Sequence, residues 1–139
     1  MIIDYSENEK NLLARIMRAE ALSEGDLGML LVGNVVINRC IANCYTFKNI
    51  RTITDAIYQE NQFSGINSSL FSGSPTALEK RLAEKILNGE YFHPATHALW
   101  FYAPKNDACL DKWYNQPLAG KYKNHCFYRP DNKECKELY

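Results

Sequence analysis

The chain has 139 residues, 46% hydrophobic and 23% charged, a globular composition that excludes wholesale disorder and leaves room for one domain over residues 1–139 with its own core. Sixteen Lys and Arg balance sixteen Asp and Glu, so no basic excess drives phosphate binding and no nucleic-acid partner is expected. The first ten residues lack a basic, then apolar leader, and the longest apolar segment, 27–37, is too short for a bilayer, so the expectations are synthesis in the cytoplasm without a signal peptide and no membrane insertion.

The first predicted helix starts at Ser6, where Glu9 three residues on completes a capping-box pattern. Leu12, Leu13, Ile16 and Met17 mark its apolar face. Glu20 falls on the same row as Leu12 and Ile16, a carboxylate where the pattern calls for an apolar side chain. Gly25 closes the segment. A second helix runs from about Asp26 to Ala42, apolar around most of its circumference and therefore central. Asn34 and Asn38 form a thin polar row along it and are expected to brace neighbouring segments.

A short helix is predicted over 54–59 with Thr54 as N-cap. Residues 64–76, rich in Ser and Gly, read as a long loop. The last helix is expected to follow Ser74 as N-cap and Pro75 at its first position, with Leu78, Leu82 and Ile86 facing inward and Gly89 beyond its end. Residues 98–102 and 125–128 read as short strands stopped by Pro104 and Pro130. Eleven of the seventeen aromatic residues lie after residue 90, which suits a sheet core and equally a face that stacks on sugar rings.

Glu20 is the sharpest candidate for chemistry. Desolvation on an apolar row raises a carboxyl pKa and makes the group a proton donor near neutral pH. The bland alternative is an ion pair with Arg15, Arg18 or another cation. The spacings of Cys109, His125, Cys126 and Cys135 do not form zinc knuckles. His93 and His97 have helical ligand spacing, but Pro94 lies between them. No metal site is expected. The five cysteines permit at most two bridges and, in a chain made in the cytosol, read first as reduced thiols. Two clusters, 58–64 and 113–117, combine amides with aromatic rings, a mixture that suits saccharides as well as ordinary loop bracing.

Five segments together resemble the SleB/CwlJ-type cell-wall hydrolases, which attack spore cortex peptidoglycan during germination. They are Leu12-Leu13-Ala14-Arg15 with Arg18-Ala19-Glu20-Ala21, Gly33 through Arg39, Ile57-Tyr58-Gln59 with Phe63, Trp113 through Pro117, and Asn124 through Phe127. The short length and the Cys-bearing tail resemble the CwlJ branch. One departure is Glu60, where many relatives carry Pro.

The resemblance implies a mostly helical α+β, lysozyme-like catalytic domain with a small antiparallel sheet. It implies that Glu20 is the catalytic acid/base of a muramidase or lytic transglycosylase acting on peptidoglycan, with Glu24, Asp26 and Glu60 as local candidates for a second carboxylate. Tyr58, Gln62, Phe63, Tyr102, Trp113, Asn115, Gln116 and His125 are the expected substrate-binding residues. No cofactor is required, and a calcium dependence is an expectation of the germination role alone. The implied setting is the spore coat or cortex–coat boundary, with a coat adaptor as partner. There at least one disulfide becomes an even expectation, and Cys126 and Cys135 are the nearest pair in the tail. Two alternatives stay open: a non-catalytic cortex-glycan-binding or coat-scaffold protein on the same fold, and a zinc-stabilised module built on the tail cysteines.

Overall fold

A computed structural model describes residues 3–106 and 108–139. The described residues form four α-helices and a four-stranded antiparallel sheet, the expected α+β class. Helix α1 spans Glu7–Ala21 and begins in the predicted capping box: the Ser6 side chain accepts from Glu9 N at 3.1 Å, and Glu9 accepts from Ser6 N at 3.3 Å. A 3-10 turn, Leu22–Glu24, follows. Gly25, at φ 81°, then starts α2 (Gly25–Ala42), so this glycine opens the second helix as much as it ends the first.

Helix α2 is the axis of the molecule. Val32, Val36 and Ile37 pack with α1, α3 (Ile53–Tyr58) and α4 (Ala77–Leu87); Leu31 and Val35 pack against Phe127 of the sheet; Ala42 joins Phe47 and Leu99. That three-way burial explains a helix apolar nearly all round. The helical run 7–42 is long and apolar enough to cross a membrane by length and composition, but 83% of its apolar window is buried inside the protein. Truncating Leu31, fully buried, to Ala would cost about 2–5 kcal/mol.

Asn34 and Asn38 brace the segment that follows α4. Asn34 donates to Glu90 O and accepts from Phe92 N, both at 2.9 Å. Asn38 Nδ2 donates to Ala95 O at 3.0 Å and Ala98 O at 2.9 Å. These bonds deliver the chain to β1 (Trp100–Tyr102), which pairs with β4 (His125–Tyr128) with Phe101 opposite Phe127. The sheet order is β1-β4-β3-β2, with β2 Lys112–Trp113 and β3 Gln116–Tyr122. Tyr114 and Asn115, both at positive φ, make the two-residue turn between β2 and β3.

Several sequence expectations need correction. Helix α3 is capped by Thr52, whose hydroxyl accepts from Asp55 N, not by Thr54; Thr54 instead donates to Glu9. Helix α4 is capped by Thr76 through a capping box with Glu79, two residues after the Ser74 start expected. Leu78 is exposed, and Leu82, Ala83, Ile86 and Leu87 form the inward face. The 64–76 loop contains two 3-10 turns, Ser64–Asn67 and Ser69–Phe71. Strands β2 and β3 were not expected. Cys126 bonds Cys109, and Cys135 bonds Cys44, rather than one another. Cys40 alone keeps a thiol, which burial pushes up to about 12, so it is inert at neutral pH.

Candidate active site

The end of α1, the 3-10 turn after it and the tip of the sheet converge. Glu20, in the last turn of α1, is half-buried, and its Oε2 accepts from Gly65 N at 2.7 Å. Gly65 is required there: a Cβ would overlap Glu20 Oε2 and stand 3.0 Å from Ala19 Cβ. Burial raises the Glu20 pKa above the ordinary carboxylate value, opposed in order by the Gly65 N–H, His125 and Arg39. The result is a carboxyl group with one oxygen fixed and its pKa moved in the direction a general acid needs.

The loop that supplies Gly65 is itself tied to α1. Arg18 donates to Leu70 O (2.6 Å), Ser72 O (2.9 Å), Gly73 O (3.1 Å) and Ser74 O (3.2 Å), and pairs with buried Glu79 at 3.0 Å. Arg15 Nε donates to Phe71 O at 2.6 Å, with its guanidinium over the Phe71 ring. The ion-pair alternative for Glu20 therefore fails with these two partners, since both serve the loop.

Glu24 is 4% exposed and fully engaged. Its Oε2 accepts from Asn124 N at 2.9 Å, its Oε1 meets His125 Nδ1 at 2.5 Å, and its backbone carbonyl accepts from Lys123 Nζ at 3.1 Å. A Cβ at Gly28 would stand 2.5 Å from Glu24 Cβ, so the side chain folds back over a glycine. Glu24 thus clamps the β3–β4 turn to α1–α2 and is committed to that clamp. Asp26 and Glu60 are exposed.

A cavity of about 560 Å³ is bounded by Arg39 and by residues of β1 and β2, and Glu20 lies outside its lining. Its walls are aromatic and amide: Trp100, Phe101, Trp113 and Tyr114 with Asn61, Gln62 and Gln116. Arg39 forms part of the wall, and its charge and that of Glu20 act on one another. Burial pushes the Arg39 guanidinium down to about 9, so it remains charged at neutral pH. Asn115 and Gln116 also line a neighbouring depression of about 820 Å³.

Among the residues expected to bind substrate, Gln62, Trp113, Asn115 and Gln116 line these two hollows. Tyr102 lies behind the wall, its ring 4.8 Å from Trp113 and 5.8 Å from Tyr128. Phe63 is 3% exposed and lies beneath, against Arg39 and Phe101. His125 sits edge-on to Phe101 at 5.3 Å and is held by Glu24. Tyr58 is 50% exposed and packs against Phe71, outside both linings.

Sequence reasoning did not single out Gly65, Arg39, Trp100 or Phe101. Only the Asn38-Arg39 pair at the polar end of an apolar helix gave a local signal. Among the described residues no group of three or more His, Cys, Asp or Glu side chains converges on a metal position. Cys109, Cys126 and Cys135 are all in disulfides, which removes the tail zinc module.

The chain is similar to known proteins along nearly its whole length. A family model described as Cell Wall Hydrolase matches residues 23–128, a span that begins just after Glu20. The cell wall hydrolase CwlJ of Oceanobacillus iheyensis is 47% identical over 139 residues, covering 99% of this chain and 98% of that protein. A spore cortex-lytic enzyme of Bacillus cereus is 27% identical over 124 residues, which are 88% of this chain but 45% of that protein. The crystal structure of the catalytic domain of the Bacillus cereus SleB protein matches with a TM-score of 0.72 at 25% identity, covering 91% of this chain and 93% of that one.

Proposed function

The chain belongs to the cell wall hydrolase family, of the SleB/CwlJ type and its short CwlJ branch, and on that premise we propose that it cleaves the glycan strands of spore cortex peptidoglycan during germination, with Glu20 as general acid and base. The observation that carries the reading is the Glu20 carboxyl group, fixed by the Gly65 N–H and raised in pKa by burial, in a protein whose sheet and Arg39 wall an aromatic and amide cavity. Rings stack on sugar faces, and amides bond hydroxyl and acetamido groups. The reading includes a spore-associated location at the coat or cortex–coat boundary, where a coat adaptor would hold the protein.

Protonated Glu20 gives its proton to the glycosidic oxygen leaving C1 of a muramic-acid residue, and an oxocarbenium-like centre develops at C1. Inverting and retaining glycosidases then need a second carboxylate. Glu24 is committed to His125 and Asn124, and Asp26 and Glu60 are exposed. This favours attack by the muramyl C6 hydroxyl: O6 bonds C1, the C1–O bond to the leaving sugar breaks, and the C6 hydroxyl proton passes to ionised Glu20. The acid is regenerated, no water is consumed, and the product carries a 1,6-anhydro end. This is lytic transglycosylation.

Mass spectrometry of fragments released from purified, decoated spore cortex tests the proposal. Wild-type protein is expected to release muropeptides with 1,6-anhydro ends, and Glu20→Gln, which keeps shape but has no transferable proton, to release none. Reducing ends in place of anhydro ends would refute transglycosylation and leave hydrolysis. Equal release by both proteins would refute Glu20 as the acid. Binding of cortex without release by either would favour a glycan-binding scaffold.

A further inference from the structure

Arg39 is 3% exposed and lies on the last turn of α2, yet it forms part of the wall of the cavity. A guanidinium carries five N–H donors. The bond found is from Nε to Leu99 O at 2.8 Å, and Nη1 has no partner among the described residues. Phe47 and Phe63 flank the group, each ring centre 4.7 Å from the guanidinium carbon, which fixes its orientation without using its donors. A buried cation with its donors unspent is costly unless an acceptor arrives.

The remaining wall suits a saccharide, and a sugar built only of hydroxyl and acetamido groups offers nothing that requires a buried charge. We propose that Arg39 is the specificity-determining residue of this cavity, donating to the carboxylate or carbonyl oxygen on the acidic arm that distinguishes a muramic-acid residue from N-acetylglucosamine. This rests on the proposed glycan substrate and adds which sugar the cavity reads. The guanidinium fork matches a carboxyl or amide oxygen pair in a way an ammonium does not.

Binding tests this separately from turnover. In the Glu20→Gln protein, affinity is measured by calorimetry for three tetrasaccharides: one of N-acetylglucosamine only, one alternating N-acetylglucosamine and N-acetylmuramic acid without peptides, and the same alternating sugar with peptide stems. The muramic forms are expected to bind about tenfold or more tightly than the plain one, the scale of a charge-assisted hydrogen bond. Adding Arg39→Met erases that preference, and Arg39→Lys weakens it several-fold. Preference already present without peptides assigns the contact to the lactyl arm; preference only with peptides assigns it to a stem carboxylate. Equal affinity for all three sugars before Arg39 is changed overturns the proposal. So does a preference that survives in Arg39→Met, or one left undiminished in Arg39→Lys should the Met variant fail to fold by circular dichroism. None of these outcomes depends on whether Glu20 cleaves anything.

Discussion

Gly65→Ala is the most economical perturbation of Glu20, the proposed acid. The added methyl would overlap Glu20 Oε2 and approach Glu20 Cδ to 3.1 Å. Gly65 is not at positive φ, so the backbone accepts alanine and the consequence falls on the Glu20 seat. The carboxylate has to swing aside by about 1 Å or more and gives up the 2.7 Å bond from Gly65 N. A misplacement of about 1 Å at a reacting group costs about 10²-fold in rate. The lost hydrogen bond, to a group still partly reached by water, costs stability about 1–2 kcal/mol.

The pH dependence carries a second signature. Burial is the largest influence raising the Glu20 pKa, so the acid form persists to higher pH than for an ordinary carboxylate, and activity falls as pH rises through the raised value. A carboxyl that stays buried but gives up the Gly65 N–H loses the largest influence opposing that rise in pKa. The variant should show kcat/KM for solubilised cortex about 10²-fold lower, a high-pH limb displaced to higher pH, and only a modest fall in Tm. Wild-type turnover with an unmoved pH profile would show that the Gly65 contact does not position the acid.

Two further predictions concern the scaffold. Arg18→Met leaves four carbonyls and buried Glu79 without their cation, and urea unfolding should show a loss of about 3–5 kcal/mol, with part of it recovered in Arg18→Met/Glu79→Gln; a loss below about 1 kcal/mol would mean that water replaces Arg18 at no cost. The two disulfides should differ in weight. Cys44–Cys135 closes a separation of 91 residues and Cys109–Cys126 one of 17, so loop entropy assigns about 4–5 and about 3 kcal/mol. Thermal melts of Cys135→Ser and Cys109→Ser should rank in that order, and the reverse ranking would show that native-state contacts outweigh chain entropy here.

The features legible in the sequence are those in which neighbours along the chain decide the outcome. The capping box of Ser6 and Glu9 spans three residues and needs nothing else. The apolar circumference of α2 announces burial whatever covers it. Glu20 stands out because a carboxylate on an apolar row breaks a local rule. Where two nearby residues compete, as Thr52 with Thr54 or Ser74 with Thr76, the sequence alone did not choose: Thr54 went to Glu9, and Thr76 found its reciprocal partner in Glu79. Strand β3, with Pro117, Ala119 and Gly120 breaking its alternation, exists because β4 and β2 pair with it.

The site belongs almost wholly to the second kind. Glu24 meets His125 across 101 residues, Glu20 meets Gly65 across 45, and Arg18 reaches the 70–74 carbonyls across more than 50. Each contact depends on how α1, the loop and the sheet tip pack, and no spacing encodes it. Arg39 shows the same division: the sequence placed a cation at the end of a buried helix, and only the tertiary structure surrounded it with two phenyl rings, used one of its donors and turned it to a cavity wall. Local propensity can be summed along a chain, but the desolvation that makes a carboxyl an acid, or leaves a guanidinium short of partners, is set by what the rest of the chain brings against it.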